Sequence, residues 1–132
     1  VRQDQLGPLR IDAGQVPVMI DELPALAAIA CFGDGLRVRG AAELRAKESD
    51  RISVLATGLR ALGGTVDETP DGFLVHPATL TGGTVDAAGD HRMAMAFAIG
   101  ALGATGPTTI TGCDVVDVSY PGFFTKLRSI CE

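Results

Sequence analysis

Tryptophan is absent from this chain, and five phenylalanines and one tyrosine supply all of its aromatic rings. Basic residues are in the minority too: 11 Lys and Arg stand against 16 Asp and Glu, giving a net charge of −5. A nucleic-acid partner would need a basic face and rings for stacking, so none is expected. An acidic protein still binds a small anion where a few cations converge. Every apolar run is broken by glycine or charge, so no membrane span is expected. The first residues carry Arg2, Asp4 and Arg10 without an apolar core, so no signal peptide is expected either. Cysteine is sparse. Cys31, Cys113 and Cys131 are odd in number and lack metal-ligand spacing, which points to free thiols in a reducing, cytoplasmic compartment without a metal. The chain starts at Val1, and its opening reads like the middle of a domain, so a piece of a longer protein is expected.

What is present is globular. Hydrophobic residues make up 46% and charged residues 20% of 132 residues, enough for one core or for two small units sharing it. Leu9-Arg10-Ile11 and Val16 to Ile20 read as one or two weak strands with a loop. From Asp21 the spacing turns helical, with Leu23, Leu26, Ala27, Ala30 and Cys31 on one face, Pro24 in the first turn and Gly33-Asp34-Gly35 as the stop. Leu36 to Arg39 alternates as a strand does. Thr65–Glu68 and Phe73–His76 flank Pro70-Asp71-Gly72, a hairpin signal, and a short strand is expected around Val85. Met93 to Leu102 is apolar on all sides, which predicts a buried helix capped by Asp90. Pro107 to Thr111 reads as a strand. Ser119-Tyr120-Pro121 leads into a last short helix bearing Phe124, Leu127 and Ile130.

The charged run Lys47-Glu48-Ser49-Asp50-Arg51 stands directly before the apolar helical positions Ile52, Leu55, Ala56, Leu59 and Leu62, and Gly63-Gly64 ends that pattern. Ser49 or Asp50 is a natural N-cap. Free backbone N–H groups at such a terminus favour an anion, and Lys47 and Arg51 add cationic donors there.

The two halves also rhyme. Aspartate, helix, glycine, short strand, glycine, polar loop and helix begin at Asp21 and again at Asp90, an offset of about 70 residues. An α+β fold of repeated units is expected, with helices packed inside and short strands in sheets around them. The helix starts at Asp21, Ser49 and Asp90 would then open on one surface.

Asp21-Glu22-Leu23-Pro24, Glu43 to Ile52 through Lys-Glu-Ser-Asp-Arg, and Asp90-His91-Arg92-Met93-Ala94-Met95 together resemble the signatures of the 5-enolpyruvylshikimate-3-phosphate synthase family, in its order and at its spacing. Val118 to Phe123 is similar to its C-terminal motif. The resemblance runs from about Pro17 to the end and covers the last third of such an enzyme. It implies repeated βαβαββ units within one domain of a two-domain, inside-out α/β barrel. Here there would be two units, about 1–80 and 81–132, the second incomplete.

The resemblance implies transfer of the enolpyruvyl group of phosphoenolpyruvate to the 5-hydroxyl of shikimate 3-phosphate, with release of phosphate, in aromatic amino acid biosynthesis. Asp21 would be the base at the attacking hydroxyl, which needs an ionised carboxylate within hydrogen-bond reach. Glu48 would exchange protons with the methylene carbon, Lys47 would contact shikimate 3-phosphate, and Arg51 and Arg92 would clamp phosphoenolpyruvate. His91 would orient neighbours or hydrogen-bond within the site. No cofactor or metal is implied. The partners implied are the two substrates and the N-terminal domain of the same enzyme, without which this chain is expected to be inactive.

One departure stands out, since many members carry lysine where this chain has Val118. A related enolpyruvyltransferase acting on UDP-N-acetylglucosamine shares fold and chemistry, but its corresponding helix lacks these two signatures. A non-catalytic anion-binding domain of the same fold is the other alternative.

Overall fold

The computed structural model describes residues 8–112. The first strand, β1 (Leu9–Ile11), runs parallel to β2 (Leu36–Val38), with Leu9 opposite Leu36 and Ile11 opposite Val38. Strand β2 is antiparallel to β4 (Gly72–His76), which forms a hairpin with β3 (Thr65–Thr69), so the sheet order is β1-β2-β4-β3. A second, two-stranded parallel sheet pairs β5 (Gly83–Asp86) with β6 (Thr108–Thr111). The helices are α1 (Val16–Met19), α2 (Leu23–Ala30), α3 (Arg51–Ala61) and α4 (His91–Leu102), with 3-10 turns at Ile20–Glu22 and Ala42–Ala46.

The period-two pattern of the strands sorts their faces. Leu36, Val38, Phe73, Val75 and Val66 are buried against helices, while Arg37, Leu74 and Asp67 line the opposite face. Helix α2 packs on α4 through Ala27, Ala28, Ala94 and neighbouring side chains. Helix α3 lies over β3 and β5 and touches α4. Its Gly58 admits the Phe97 ring of α4, and a Cβ there would also stand 2.8 Å from Val85 Cγ2. Small residues at these crossings let helix axes approach closely, which brings their N-terminal ends together. The expectation of helices inside short sheets therefore holds for the described residues.

Local signals explain most boundaries. Asp50 caps α3 by accepting from Ser53 N at 3.1 Å, as the capping pattern predicted. At the other end, Gly63 takes φ +103 and Gly64 N donates to Leu59 O at 2.7 Å, satisfying a terminal carbonyl. The hairpin turns on Pro70-Asp71 where expected.

The segment Val16–Ile20 is a correction: it is helical, not a strand. Asp12 O accepts from Gln15 N and Val16 N, and Pro17 falls in the first turn, where its missing N–H costs nothing. The helix at Asp21 also begins differently. Residues Ile20–Glu22 wind a 3-10 turn, Glu22 holds the N-cap position of α2, and no side chain caps it. Asp21 is therefore not a cap, and its carboxylate is directed elsewhere.

Cys31 is buried and donates to Ala27 O at 3.6 Å; burial raises its pKa despite the opposing backbone hydrogen bond, so the thiol stays protonated. Cys113, Val118, the Ser119-Tyr120-Pro121 entry, the final helix and Cys131 lie outside the described residues. Among the described residues, no helix is long and apolar enough to cross a membrane.

Candidate active site

Three carboxylates converge on one guanidinium. Arg51, the first residue of α3, is 2% exposed, and its side chain points at the start of α4 rather than at solvent. Asp90 accepts from Arg51 Nε at 2.8 Å (Oδ2) and from Nη2 at 3.2 Å (Oδ1). Asp21, in the 3-10 turn before α2, accepts from Nη1 at 3.3 Å, and Glu48 accepts from Nη2. The participants come from three segments, 30 and 39 residues from Arg51 for Asp21 and Asp90. The common surface expected for the three helix starts is thus formed.

Asp90 has no exposed surface, and its carboxylate bonds to Arg51, to Ser49 and to the backbone N–H of Arg92. Its Oδ2 also accepts from Ser49 Oγ at 2.7 Å, and its Oδ1 from Arg92 N at 3.0 Å, the capping bond of α4. Burial by itself pushes the Asp90 carboxyl upward. The hydrogen bonds from Arg51 and Ser49, with the charge of Arg51 and the Arg92 N–H, outweigh it, so the pKa is lowered. For Arg51, burial works against the charge, but the bonds and charge of Asp90 and the charges of Glu48 and Asp21 raise the pKa. The pair is ionised and dry, an arrangement tolerated only when such bonds are made.

The outer members are wetter. The side chains of Asp21 and Glu48 are 46% and 55% exposed, so each has one face on Arg51 and one free for a ligand. Arg92 Nη1 donates to Asp21 O at 3.4 Å, which places this cation beside the same turn. Lys47 lies three residues before the α3 cap and pairs with Glu43 at 3.4 Å, not with the three-carboxylate cluster. His91 opens α4, half-buried, and its side chain makes no hydrogen bond or ion pair among the described residues.

The structure therefore gathers Asp21, Glu48, Arg51 and Arg92 and puts Lys47 and His91 on the flanking segments. Sequence reasoning did not single out Ser49 as a member of the site, and it took Asp90 only as a cap. A buried aspartate 39 residues from its arginine leaves no local trace. The one available signal was the odd placing of charged residues at the mouth of the most apolar helix.

Four carboxylates (Asp21, Glu43, Glu48, Asp90) face three cations (Lys47, Arg51, Arg92), so this surface carries no surplus of positive charge. It can orient acid–base groups and offer forked donors at its rim. Holding two phosphorylated anions would require further cations.

The family model of EPSP synthase (3-phosphoshikimate 1-carboxyvinyltransferase) matches residues 1–127. The 3-phosphoshikimate 1-carboxyvinyltransferase of Roseiflexus sp. (strain RS-1) is 48% identical over 134 aligned positions, covering 100% of this chain and 31% of the relative. That of Xanthomonas campestris pv. campestris (strain 8004) is 53% identical over 125 positions, covering 93% and 28%. The solved EPSP synthase of Acinetobacter baumannii superposes with a TM-score of 0.86 at 38% identity, over 96% of this chain and 30% of that one. The chain thus spans about a third of the length of these relatives, and its mixed α/β architecture is part of a domain of their fold. With its fold and nearly its whole length in agreement, the chain belongs to the EPSP synthase (3-phosphoshikimate 1-carboxyvinyltransferase) family.

Proposed function

We propose that this chain supplies the C-terminal share of an enolpyruvyl-transfer site, in which the 5-hydroxyl of shikimate 3-phosphate adds to phosphoenolpyruvate and phosphate leaves. It comprises two repeat units, about 1–80 and 81–132. The order β1, helices, β2, helix, β3, β4, followed by β5, α4, β6, supports that division.

The observation that carries the proposal is the convergence of Asp21, Glu48 and Asp90 on Arg51 with Arg92 alongside. Asp21 takes the hydroxyl proton as the oxygen attacks C2 of phosphoenolpyruvate, and Glu48, having taken up a proton from solvent on leaving Arg51, delivers it to C3, turning methylene into methyl. The tetrahedral intermediate then loses a methyl proton back to Glu48, and the C2–O bond to phosphate breaks. Lys47 holds shikimate 3-phosphate. Arg92 meets phosphoenolpyruvate directly. Arg51 meets it by exchange: the ligand carboxylate takes the place of Glu48 on the guanidinium while Asp90 keeps Arg51 fixed, and Glu48 is released toward C3. His91 lines the same entrance and orients its neighbours.

Because the surface has no cationic surplus, the remaining part of such an enzyme is its necessary partner. This chain alone is expected to bind weakly and turn over negligibly. The test is a titration of shikimate 3-phosphate into isotopically labelled chain. Saturable amide shifts clustered at Asp21, Lys47–Arg51 and Arg92 support the reading. Shifts scattered elsewhere, or none even when the N-terminal part is supplied, refute it.

A further inference from the structure

We propose that Arg45 is a positioning residue: it sets the segment carrying Lys47 and Glu48 by locking the α3 N-cap onto the tip of the β3–β4 hairpin. This rests on the reading of Lys47 and Glu48 as ligand-facing groups. Arg45 sits near the end of the Ala42–Ala46 turn and spends its whole guanidinium on acceptors from separate parts of the chain. Nη1 donates to both Asp50 oxygens, at 3.1 and 2.8 Å. Nε donates to Pro70 O at 2.9 Å, and Nη2 to Thr69 O at 2.7 Å and to Glu68 Oε2 at 3.0 Å.

Two consequences follow from that geometry. The Arg45–Asp50 pair closes a small loop over 46–49, so Lys47 and Glu48, which pair with Glu43 and Arg51, project from a ring with fixed ends. Asp50 Oδ1 is also the oxygen that caps Ser53 N, so the same contact fixes where α3 begins and hence where Arg51 starts. The hairpin tip holds the entrance of the segment as well: Asp71 O accepts from Ala41 N at 2.7 Å, and Asp71 Oδ2 from Gly40 N at 3.0 Å. Both ends of 40–50 therefore lean on Pro70-Asp71.

Arg45 makes no bond to Asp21, Glu48, Arg51 or Asp90, so it acts on the site only through this scaffold. Its side chain is 29% exposed, and ion pairs at such a place, here to Asp50 and Glu68, each add little to stability. A planar fork spanning two carboxylates and two carbonyls, by contrast, fixes direction. Lysine, a compact point charge, cannot span them.

The experiment compares the 132-residue chain with R45Q, R45K and D50N by 15N relaxation, urea unfolding and shikimate 3-phosphate titration. In R45Q, order parameters at Lys47, Glu48 and Ser49 are expected to fall from about 0.85 to below about 0.6, while β2, β4 and α4 stay rigid. R45K restores less than half of that order. D50N, which keeps an acceptor for Ser53, reproduces the effect, and R45Q/D50N adds nothing further. The apparent Kd for shikimate 3-phosphate rises about tenfold in R45Q with the unfolding midpoint nearly unchanged, that is about 1.4 kcal/mol of binding. Unchanged order at 47–49 in folded R45Q or in D50N, or loosening spread evenly over the domain, overturns the proposal. Absence of saturable shifts in the parent chain even with the N-terminal part supplied counts against the functional reading instead, and the relaxation data still decide the role of Arg45.

Discussion

Asp90 and Arg51 meet across 39 residues of chain as a two-point ion pair, Nε to Oδ2 at 2.8 Å and Nη2 to Oδ1 at 3.2 Å, with 0% and 2% of their side chains exposed. The pair joins the start of α3 to the start of α4, and the exposed carboxylates of Asp21 and Glu48 are hung on its outer side.

Removing one partner leaves the other charge buried. Asp90→Asn preserves the capping acceptor but discards the charge, and we expect it to cost about 3 to 5 kcal/mol of unfolding free energy in urea. A loss below about 1 kcal/mol would show that water reaches Arg51 and that the pair is not dry.

The same carboxylate sets an acid limit. Its folded pKa lies below the ordinary value of 3.8, so its stabilisation is complete above that value and is lost as pH falls through the lower folded one. The unfolding midpoint of the parent chain should therefore drop below about pH 4 more steeply than that of Asp90→Asn. Parallel curves would remove Asp90 from the acid transition.

Lys47→Ala and Arg92→Ala separate ligand binding from folding. Lys47 makes one i,i+4 pair at 3.4 Å, and Arg92 one long bond of 3.4 Å to a carbonyl, so each change should alter stability by about 0.5 kcal/mol or less. Lys47→Ala should abolish the amide shifts induced by shikimate 3-phosphate, and Arg92→Ala those induced by phosphoenolpyruvate. Retained shifts in either variant would refute that residue's assigned contact.

Gly58→Ala tests the helix crossing. Alanine favours a helix by about 1 kcal/mol, but its methyl meets the Phe97 ring and Val85, where overpacking costs about 1 to 3 kcal/mol. We expect net destabilisation in urea together with amide shifts at Arg51 and Asp90, because α3 must move off α4. A stabilised variant with unmoved amides would mean that the crossing has slack.

How much the sequence disclosed follows from how local each signal is. The cap at Asp50, the stop at Gly63-Gly64, the Pro70-Asp71 turn and the apolar run of α4 are each determined within a few residues, and all four were legible. Val16–Ile20 was misread because its β-branched apolar residues suit a strand, while Pro17 suits either a strand edge or a first helical turn. Asp21 matched a cap by type and place, yet a 3-10 turn carries its carboxylate past the helix end to Arg51. Arg51 was legible as a cation near the site. Its burial under three carboxylates was not, since Asp21 and Asp90 reach it only through tertiary packing.

The hairpin tip has a consequence in time. Arg45 precedes Pro70 by 25 residues, and Gly40 precedes Asp71 by 31, so the segment bearing Lys47 and Glu48 is synthesised before the turn that holds it. A hairpin forms within about 1 to 10 μs once both of its strands are free to pair. Until then residues 40–50 lack the support of the hairpin tip and keep only contacts such as Lys47–Glu43 and Glu48–Arg51. Damage to the β3–β4 turn would therefore be felt at the Lys47–Glu48 segment, more than 20 residues away in sequence.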